Sequence, residues 1–321
     1  MNAFAPVPRV LLTDPIHPDG EALLAAAADI IVAPDTAAAT LRALARDADA
    51  LLVRSKLPDD IFQHAARLKG VVRHGVGLDI IPLEAAARHG IVVANTPGIN
   101  TRPVAEYVFA ALFDLKRSLA AVDGRLRHSG WNDARDFGVS RGEIGGMTLA
   151  IIGLGAIGTR VAQMARAGFG MEVLGVTRSG VVPEGVESVS LDDAFRRADA
   201  LVLACPLTPQ TRAMVDARRL GLMKPGALLI NVARGPVVET PALVAALREG
   251  RLGGAALDVH DVQPLDGSEA LFALPNVLLT PHLAGITATS LRAMSMLAAQ
   301  ETLRIVSGEP PLHRVELAAF V

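Results

Sequence analysis

Short apolar runs of strand length recur through the first hundred residues, at 10–12, 30–32, 51–53, 71–72 and 91–93. The stretches between them carry helix-period patterns, at 21–28, 40–48, 60–66 and 83–89. Apolar runs of this length, alternating with helical segments, predict buried parallel strands joined by crossover helices. The rhythm is that of a doubly wound α/β sheet. A long helical pattern follows at 104–127, apolar early and basic late, with Pro103 suited to its first turn. It is open to lining a cleft, to pairing subunits, or to both. Trp131 and the residues up to 146 read as a loop. A second series of strands is predicted at 149–152, 173–176, 200–204, 228–232, 255–259 and 277–280. The last helical pattern begins near 288 and is stopped by Gly308 and Pro310. A helix there can pack back on the first series. The expected organisation is therefore 1–100 with 288–321 as a substrate domain and 101–287 as a cofactor domain.

Composition narrows the class. The 321 residues are 51% hydrophobic but only 3% aromatic, so the cores must be built from Ala, Val, Leu and Ile. A formal net charge of -2 argues against nucleic acid or an anionic membrane as a partner. The single cysteine, Cys205, excludes an intrachain disulfide and fits a reducing compartment. The opening MNAFAPVPRVLLTD has no basic region and too short an apolar run for a signal peptide. No apolar run reaches bilayer length. The expectation is a soluble, cytoplasmic protein.

The second series opens on the chemistry. Strand 149–152 runs into Gly153, Gly155 and Gly158, spaced G-x-G-x-x-G, and then into a helical pattern carried by Ile157, Val161, Met164 and Ala165. In such a unit the first glycine makes the tight turn, the second lets backbone approach a pyrophosphate, and the third lets helix pack on strand. The helix N-terminus supplies the amides for the phosphates. An NAD site places a carboxylate at the end of the next strand. Here Thr177, Arg178 and Ser179 stand there, a hydroxyl-and-guanidinium set that suits a 2′-phosphate. A solvated arginine at a strand end is common, but the missing carboxylate favours NADP(H) and leaves NAD(H) possible.

Other polar residues gather at strand ends. RHGVGLD at 73–79 follows a strand, at the edge where open α/β sheets bind ligands, and its glycines free amides for an anion unless it is an ordinary tight turn. His74 reads as a packed or solvated side chain, and the turn-rich 95–100 as a hinge. Cys205 reads as a small apolar group with no activating neighbour. Arg234, Asp258 and His282 end successive strands beside the dinucleotide loop, a convergence that marks a site. No residue set is assigned to a metal.

These segments, in order, resemble the D-isomer-specific 2-hydroxyacid dehydrogenase family over nearly the whole chain. The likeness rests on 73–79, NTPG at 95–98 followed by VAE at 104–106, GLGAIG at 153–158, PLT at 206–208, NVARG at 231–235, ALDV at 256–259 and TPHLAG at 280–285. The resemblance implies a Rossmann dinucleotide-binding domain inserted into a flavodoxin-like domain, the active site in the cleft between them, and a homodimer paired through the cofactor domains. It implies that Arg234 binds the keto acid's carbonyl and carboxylate, that Val76 and Gly77 grip that carboxylate, and that His282 is the acid/base. Asp258 matches a residue that contacts the nicotinamide. Dinucleotide contacts are further implied for Val104, Ala156, Ile157, Cys205, Pro206 and Thr211, and for Val232, Ala233, Ala284 and Gly285.

One departure bears on mechanism. Where the family has a Glu paired with the catalytic His, this chain has Gln263, as NAD-dependent formate dehydrogenases do. A neutral amide orients an imidazole without holding its positive charge. The favoured consequence is a reductase whose pH optimum lies on the acid side; Asp261 or Asp266 partly substituting is the lesser reading. A second departure, Ala204 in place of a His, is similar to the NADPH-using glyoxylate and hydroxypyruvate reductases. The expected function is thus an NADP(H)-preferring interconversion of a small 2-keto acid and its D-2-hydroxy acid. The alternatives are an NAD-dependent 2-hydroxyacid or formate-type dehydrogenase, and a dinucleotide-responsive binding protein without turnover.

Overall fold

The computed structural model describes residues 7–317. Residues 1–6 of the stretch weighed above as a leader, and 318–321 of the expected substrate domain, lie outside the described residues. The chain divides into two compact units, one running up to Asn100 and resuming at Ile286, the other Thr101–Gly285.

The first unit holds β1 (Arg9–Leu12), α1 (Pro18–Ala25), β2 (Asp29–Val32), α2 (Ala38–Ala45), β3 (Ala50–Val53), β4 (Gly70–Arg73), α3 (Leu83–Arg88) and β5 (Val92–Ala94). The five strands are parallel in the order β2-β1-β3-β4-β5, the flavodoxin arrangement. β3 is buried at every residue, which is why it reads as an unbroken apolar run. The helix expected at 60–66 is instead a 3-10 turn, Ile61–His64. Its backbone bonds span three residues, Gln63 N–H to Asp60 O among them, and only Ile61 and Phe62 are buried. So short a segment gains too little packing to nucleate an α-helix.

The second unit opens with α4 (Thr101–Arg117), α5 (Leu119–Ser129) and α6 (Trp131–Val139). The single helix expected at 104–127 is broken at Ser118, whose φ is 46°. The Ser118 N–H and Oγ–H both donate to the Asp114 carbonyl, closing α4 before the chain turns. The loop expected from Trp131 contains α6. α5 buries no residue of its own, and Leu119 and Trp131 are 66% and 67% exposed. The apolar pattern there therefore does not serve this chain's core.

The rest of this unit is β6 (Thr148–Ile152), α7 (Ala156–Phe169), β7 (Glu172–Val176), β8 (Glu187–Ser188), α8 (Leu191–Arg197), β9 (Ala200–Leu203), α9 (Ala217–Leu220), β10 (Ala227–Asn231), α10 (Thr240–Arg248), β11 (Leu252–Leu257) and β12 (Val277–Leu279). All seven strands are parallel, ordered β12-β11-β10-β9-β6-β7-β8. Read from β8, that is the Rossmann order, with its switch point between β6 and β9. Aliphatic side chains fill both faces of the sheet, as the scarcity of aromatics requires.

The chain ends in the first unit with α11 (Ala288–Ser307), opened by a Thr287–Ser290 capping box and closed by Gly308 in the left-handed conformation. α11 packs against α1, where a Cβ on Gly20 would lie 2.8 Å from Ser295. The segment beyond it adds to the sheet edge. Val315 N–H donates to Val93 O at 2.8 Å, and Ala94 and Arg314 form an antiparallel bridge. Fully buried Glu301 accepts from the Leu312 N–H (2.8 Å) and from His313 Nδ1 (2.7 Å), holding this segment down. Among the described residues, no helix is long and apolar enough to cross a membrane.

Candidate active site

The three glycines after β6 hold three different environments. Gly153 has φ 96°, and a Cβ there would lie 2.7 Å from Ala204 O, so only glycine makes this turn. Gly155 has ordinary backbone angles, and among the described residues no atom lies within 4 Å of where its Cβ would be. A Cβ on Gly158 would fall 2.0 Å from Gly153 O. The first and third glycines are demanded by the protein's own packing, while the second faces open space. Gly155 is also the N-cap of α7 and offers no side-chain cap, leaving first-turn amides for an external acceptor. Ala156 is exposed and Ile157 half-buried at this helix start. This open cradle fits a dinucleotide pyrophosphate.

At the end of β7, the Thr177 hydroxyl donates to Val181 O (3.1 Å) and the Val181 N–H donates to the Ser179 hydroxyl (3.3 Å). These bonds shape a turn that leaves the Arg178 side chain exposed at its head. At the end of β9, Thr211 Oγ donates to Pro206 O (2.7 Å) and accepts from the Thr208 N–H (2.8 Å), which fixes the 205–211 loop. Cys205 is buried in the core beside that loop, and burial pushes its thiol up to about 11, so it is not a thiolate. Val104 is likewise buried, within α4.

Arg234, Asp258 and His282 follow β10, β11 and β12, adjacent strands of one sheet. With about 4.8 Å between neighbouring strands, the Arg234 and His282 loops start about 10 Å apart. Asn231 builds the first loop: its Oδ1 accepts from the Ala233 N–H (3.0 Å) and its Nδ2 donates to Arg234 O (3.0 Å). A Cβ on Gly235 would lie 2.0 Å from His260 C, so glycine lets this loop abut the segment after β11. Val232 is half-buried and Ala233 buried.

His282 sits at φ 55°, a conformation that costs a non-glycine residue roughly 1 kcal/mol. Its N–H donates to Asp258 O (2.8 Å), and the next two amides, Leu283 and Ala284, donate to the Asp258 carboxylate at 2.8 and 2.9 Å. Gln263 fixes the ring. Its Nε2 donates to His260 O (3.3 Å), which turns Oε1 toward His282 Nδ1 at 3.1 Å. An amide oxygen only accepts, so Nδ1 carries the hydrogen, and Nε2 is the ring nitrogen that Gln263 does not hold. A hollow of about 560 Å³ opens beside Gln263, walled by Pro264, Phe272, Leu279 and Pro281.

The first unit has its own strand-end loop. Arg73 Nε donates to Gly77 O (3.0 Å) and Asn95 Nδ2 donates to Val76 O (3.1 Å). With these carbonyls drawn inward, the Val76 and Gly77 amides have no acceptor among the described residues. Gly75, at φ 142°, passes directly over the Arg73 guanidinium, 3.0 Å from where its Cβ would stand. His74 is packed, with Nε2 2.8 Å from Ser295 Oγ, and burial lowers its pKa to about 4. Reading the sequence alone quotes Asn231, Gly235 and Asn95 within its motifs but gives them no role in the site. An Asn just past a strand is a turn signal that points to the first of them.

Comparison with known proteins decides the family. The profile described as D-isomer specific 2-hydroxyacid dehydrogenase, NAD binding domain, matches residues 109–284. The glyoxylate reductase of Aeropyrum pernix is 38% identical over 324 residues, covering 96% of both chains. The chain belongs to the D-isomer specific 2-hydroxyacid dehydrogenase family. It is accordingly an oxidoreductase that works with a nicotinamide dinucleotide. Another family member, the glyoxylate reductase of Thermococcus kodakarensis, is 37% identical over 95% of each chain. Among solved structures, the NADPH-dependent glyoxylate/hydroxypyruvate reductase of Sinorhizobium meliloti, in complex with NADP and malonate, superposes with a TM-score of 0.87. It is 32% identical over 97% of each chain. Rhodotorula graminis D-mandelate dehydrogenase shares the fold at TM-score 0.85 and 27% identity, covering 97% of this chain and 98% of its own.

Proposed function

We propose that this 2-keto acid reductase prefers NADP(H) and acts on small substrates of the glyoxylate and hydroxypyruvate class, giving D-2-hydroxy acids. The observation that carries this reading is the Gln263-oriented His282 ring standing two strands from Arg234. Gly153, Gly155 and Gly158, the α7 amides and the strand-end loops would hold the dinucleotide, with Asp258, Ala284 and Gly285 toward its nicotinamide end. The bound reduced nicotinamide supplies the hydride. Arg234 is assigned the keto acid's carboxylate and carbonyl; Val76 and Gly77 are carried as substrate-binding residues on the family resemblance alone. As the carbonyl oxygen gains negative charge, the Arg234 guanidinium stabilises it and His282 Nε2–H delivers the proton. In the oxidative direction neutral Nε2 takes that proton back.

Arg178 supports the NADP(H) preference, because no carboxylate stands at the end of β7 to repel a 2′-phosphate. Arg178→Ala should raise the KM for NADPH about tenfold and leave that for NADH within twofold. Equal losses for both would remove the assignment. The exposed apolar side chains of α5 and α6 support a homodimer, to be read as mass in solution by light scattering.

The test is a steady-state screen of glyoxylate, hydroxypyruvate, pyruvate and larger keto acids against NADPH and NADH. Oxidation of neither cofactor by any of them would overturn the reading. The Gln263–His282 pair also favours a formate-type reading, so formate with NAD and with NADP belongs in the same screen.

A further inference from the structure

The mechanism above uses the His282 ring but not what holds its backbone. Asp258, only 2% exposed, spends both carboxylate oxygens on that loop: Oδ1 accepts from Leu283 N–H and Oδ2 from Ala284 N–H. Oδ1 accepts a further bond, from the Thr280 hydroxyl at 2.7 Å. The Thr280 hydroxyl has one hydrogen, given to the carboxylate, so it must accept at its other contact. That contact is Tyr107 OH on α4, at 2.7 Å, with Tyr107 as the donor. The chain of bonds therefore runs one way, from Tyr107 through Thr280 to Asp258, and ends at the turn that carries His282.

We propose that Tyr107 and Thr280 are positioning residues for His282, acting through Asp258. This rests on the reading of His282 as the proton donor. A buried carboxylate needs donors on its oxygens, and Thr280 supplies one of the three side-chain and amide donors that Asp258 has among the described residues. The Asp258 carboxylate does two things. It fixes two successive amides, so the left-handed turn at His282 has one geometry. It also places a negative charge beside the turn, which favours the protonated imidazole. Burial raises the Tyr107 pKa, keeping its O–H as the donor that orients the Thr280 hydroxyl. Another titratable neighbour, His260, gives its Nε2–H to Thr280 O at 2.9 Å and so pins the same residue from the other side. No substrate or dinucleotide atom is required to touch Tyr107 or Thr280. They are distinct from the acid/base itself.

The test compares Tyr107→Phe, Thr280→Val and Thr280→Ser in the full-length enzyme, with glyoxylate and NADPH as substrates. Loss of one such hydrogen bond should lower kcat about tenfold in Thr280→Val, with both KM values within twofold of the parent. The alkaline limb of its pH–rate profile should move to lower pH, because an Asp258 carboxylate without its Thr280 bond is held less firmly beside the His282 turn. Tyr107→Phe, which keeps the packed ring, should shift the limb the same way by less, and Thr280→Ser should restore the parent profile. An unmoved limb in both Thr280→Val and Tyr107→Phe, or a Thr280→Ser as impaired as Thr280→Val, overturns the proposal. NMR titration of the His282 ring, assigned against His282→Gln, reads the same shift without turnover. It separates failure of this proposal from failure of the reductase reading, which would show as an inactive parent enzyme.

Discussion

At position 263 a neutral amide orients the His282 ring without adding charge. Gln263→Glu keeps the shape and adds an anion 3.1 Å from Nδ1. The alkaline limit of keto-acid reduction should then rise by about one pH unit, read from kcat across pH 5 to 10. An unchanged limit would show that residue 263 does not govern the proton donor. A second histidine acts on stability instead. His74 is held neutral by burial, its pKa lowered from 6.5 to about 4. Between those values the unfolded chain takes up a proton that the folded one refuses, so stability falls as pH drops through that window. The whole loss should reach about 3 kcal/mol at most, and His74→Gln should flatten the dependence of the urea midpoint on pH. At this scale the strand-end residues Arg234 and His282 were legible, because apolar runs locate strand ends and ligands gather there. Tyr107 and Thr280 were not, since they meet across 173 residues of sequence, and the TPHLAG motif that opens on Thr280 says nothing of Tyr107.

Elements buried on both faces announce themselves, and β3, β9 and β10 appear within a residue or two of their apolar runs. Elements that bury little do not. The break at Ser118 carries no glycine or proline to mark it, and α6 has only Ala134 fully buried. The β6–α7 turn offers the sharpest separation of packing from binding. Gly158→Ala drives a methyl group into the Gly153 carbonyl and should cost about 1–3 kcal/mol of stability. Gly155→Ala meets no protein atom among the described residues, so its melting temperature should stay near the parent's while its affinity for NADPH collapses. Calorimetric melting alongside dinucleotide titration checks the pair. A Gly155→Ala protein that binds NADPH normally would mean the pyrophosphate lies elsewhere.

Across the whole molecule, two parallel sheets of different strand order share one chain, and the sequence divides them by a single cue. Only the second sheet's opening turn carries the phosphate-binding glycines, whereas the first sheet's opening turn is TDPIHPDG. Composition decided the style of both cores, with aliphatic side chains in place of rings. The final segment was hidden, because 313–315 is no apolar run and joins the sheet through a few backbone bonds and the His313–Glu301 contact. That pairing has a consequence for solubility. β5 is one of the two edge strands of its sheet, and the returning segment occupies amides and carbonyls it would otherwise show to other molecules. A protein cut after Pro310 should therefore keep its Rossmann unit folded yet scatter light progressively on standing. Copies would recruit one another along the bared strand, and a short peptide of residues 311–317 should slow that growth by reoccupying the seam.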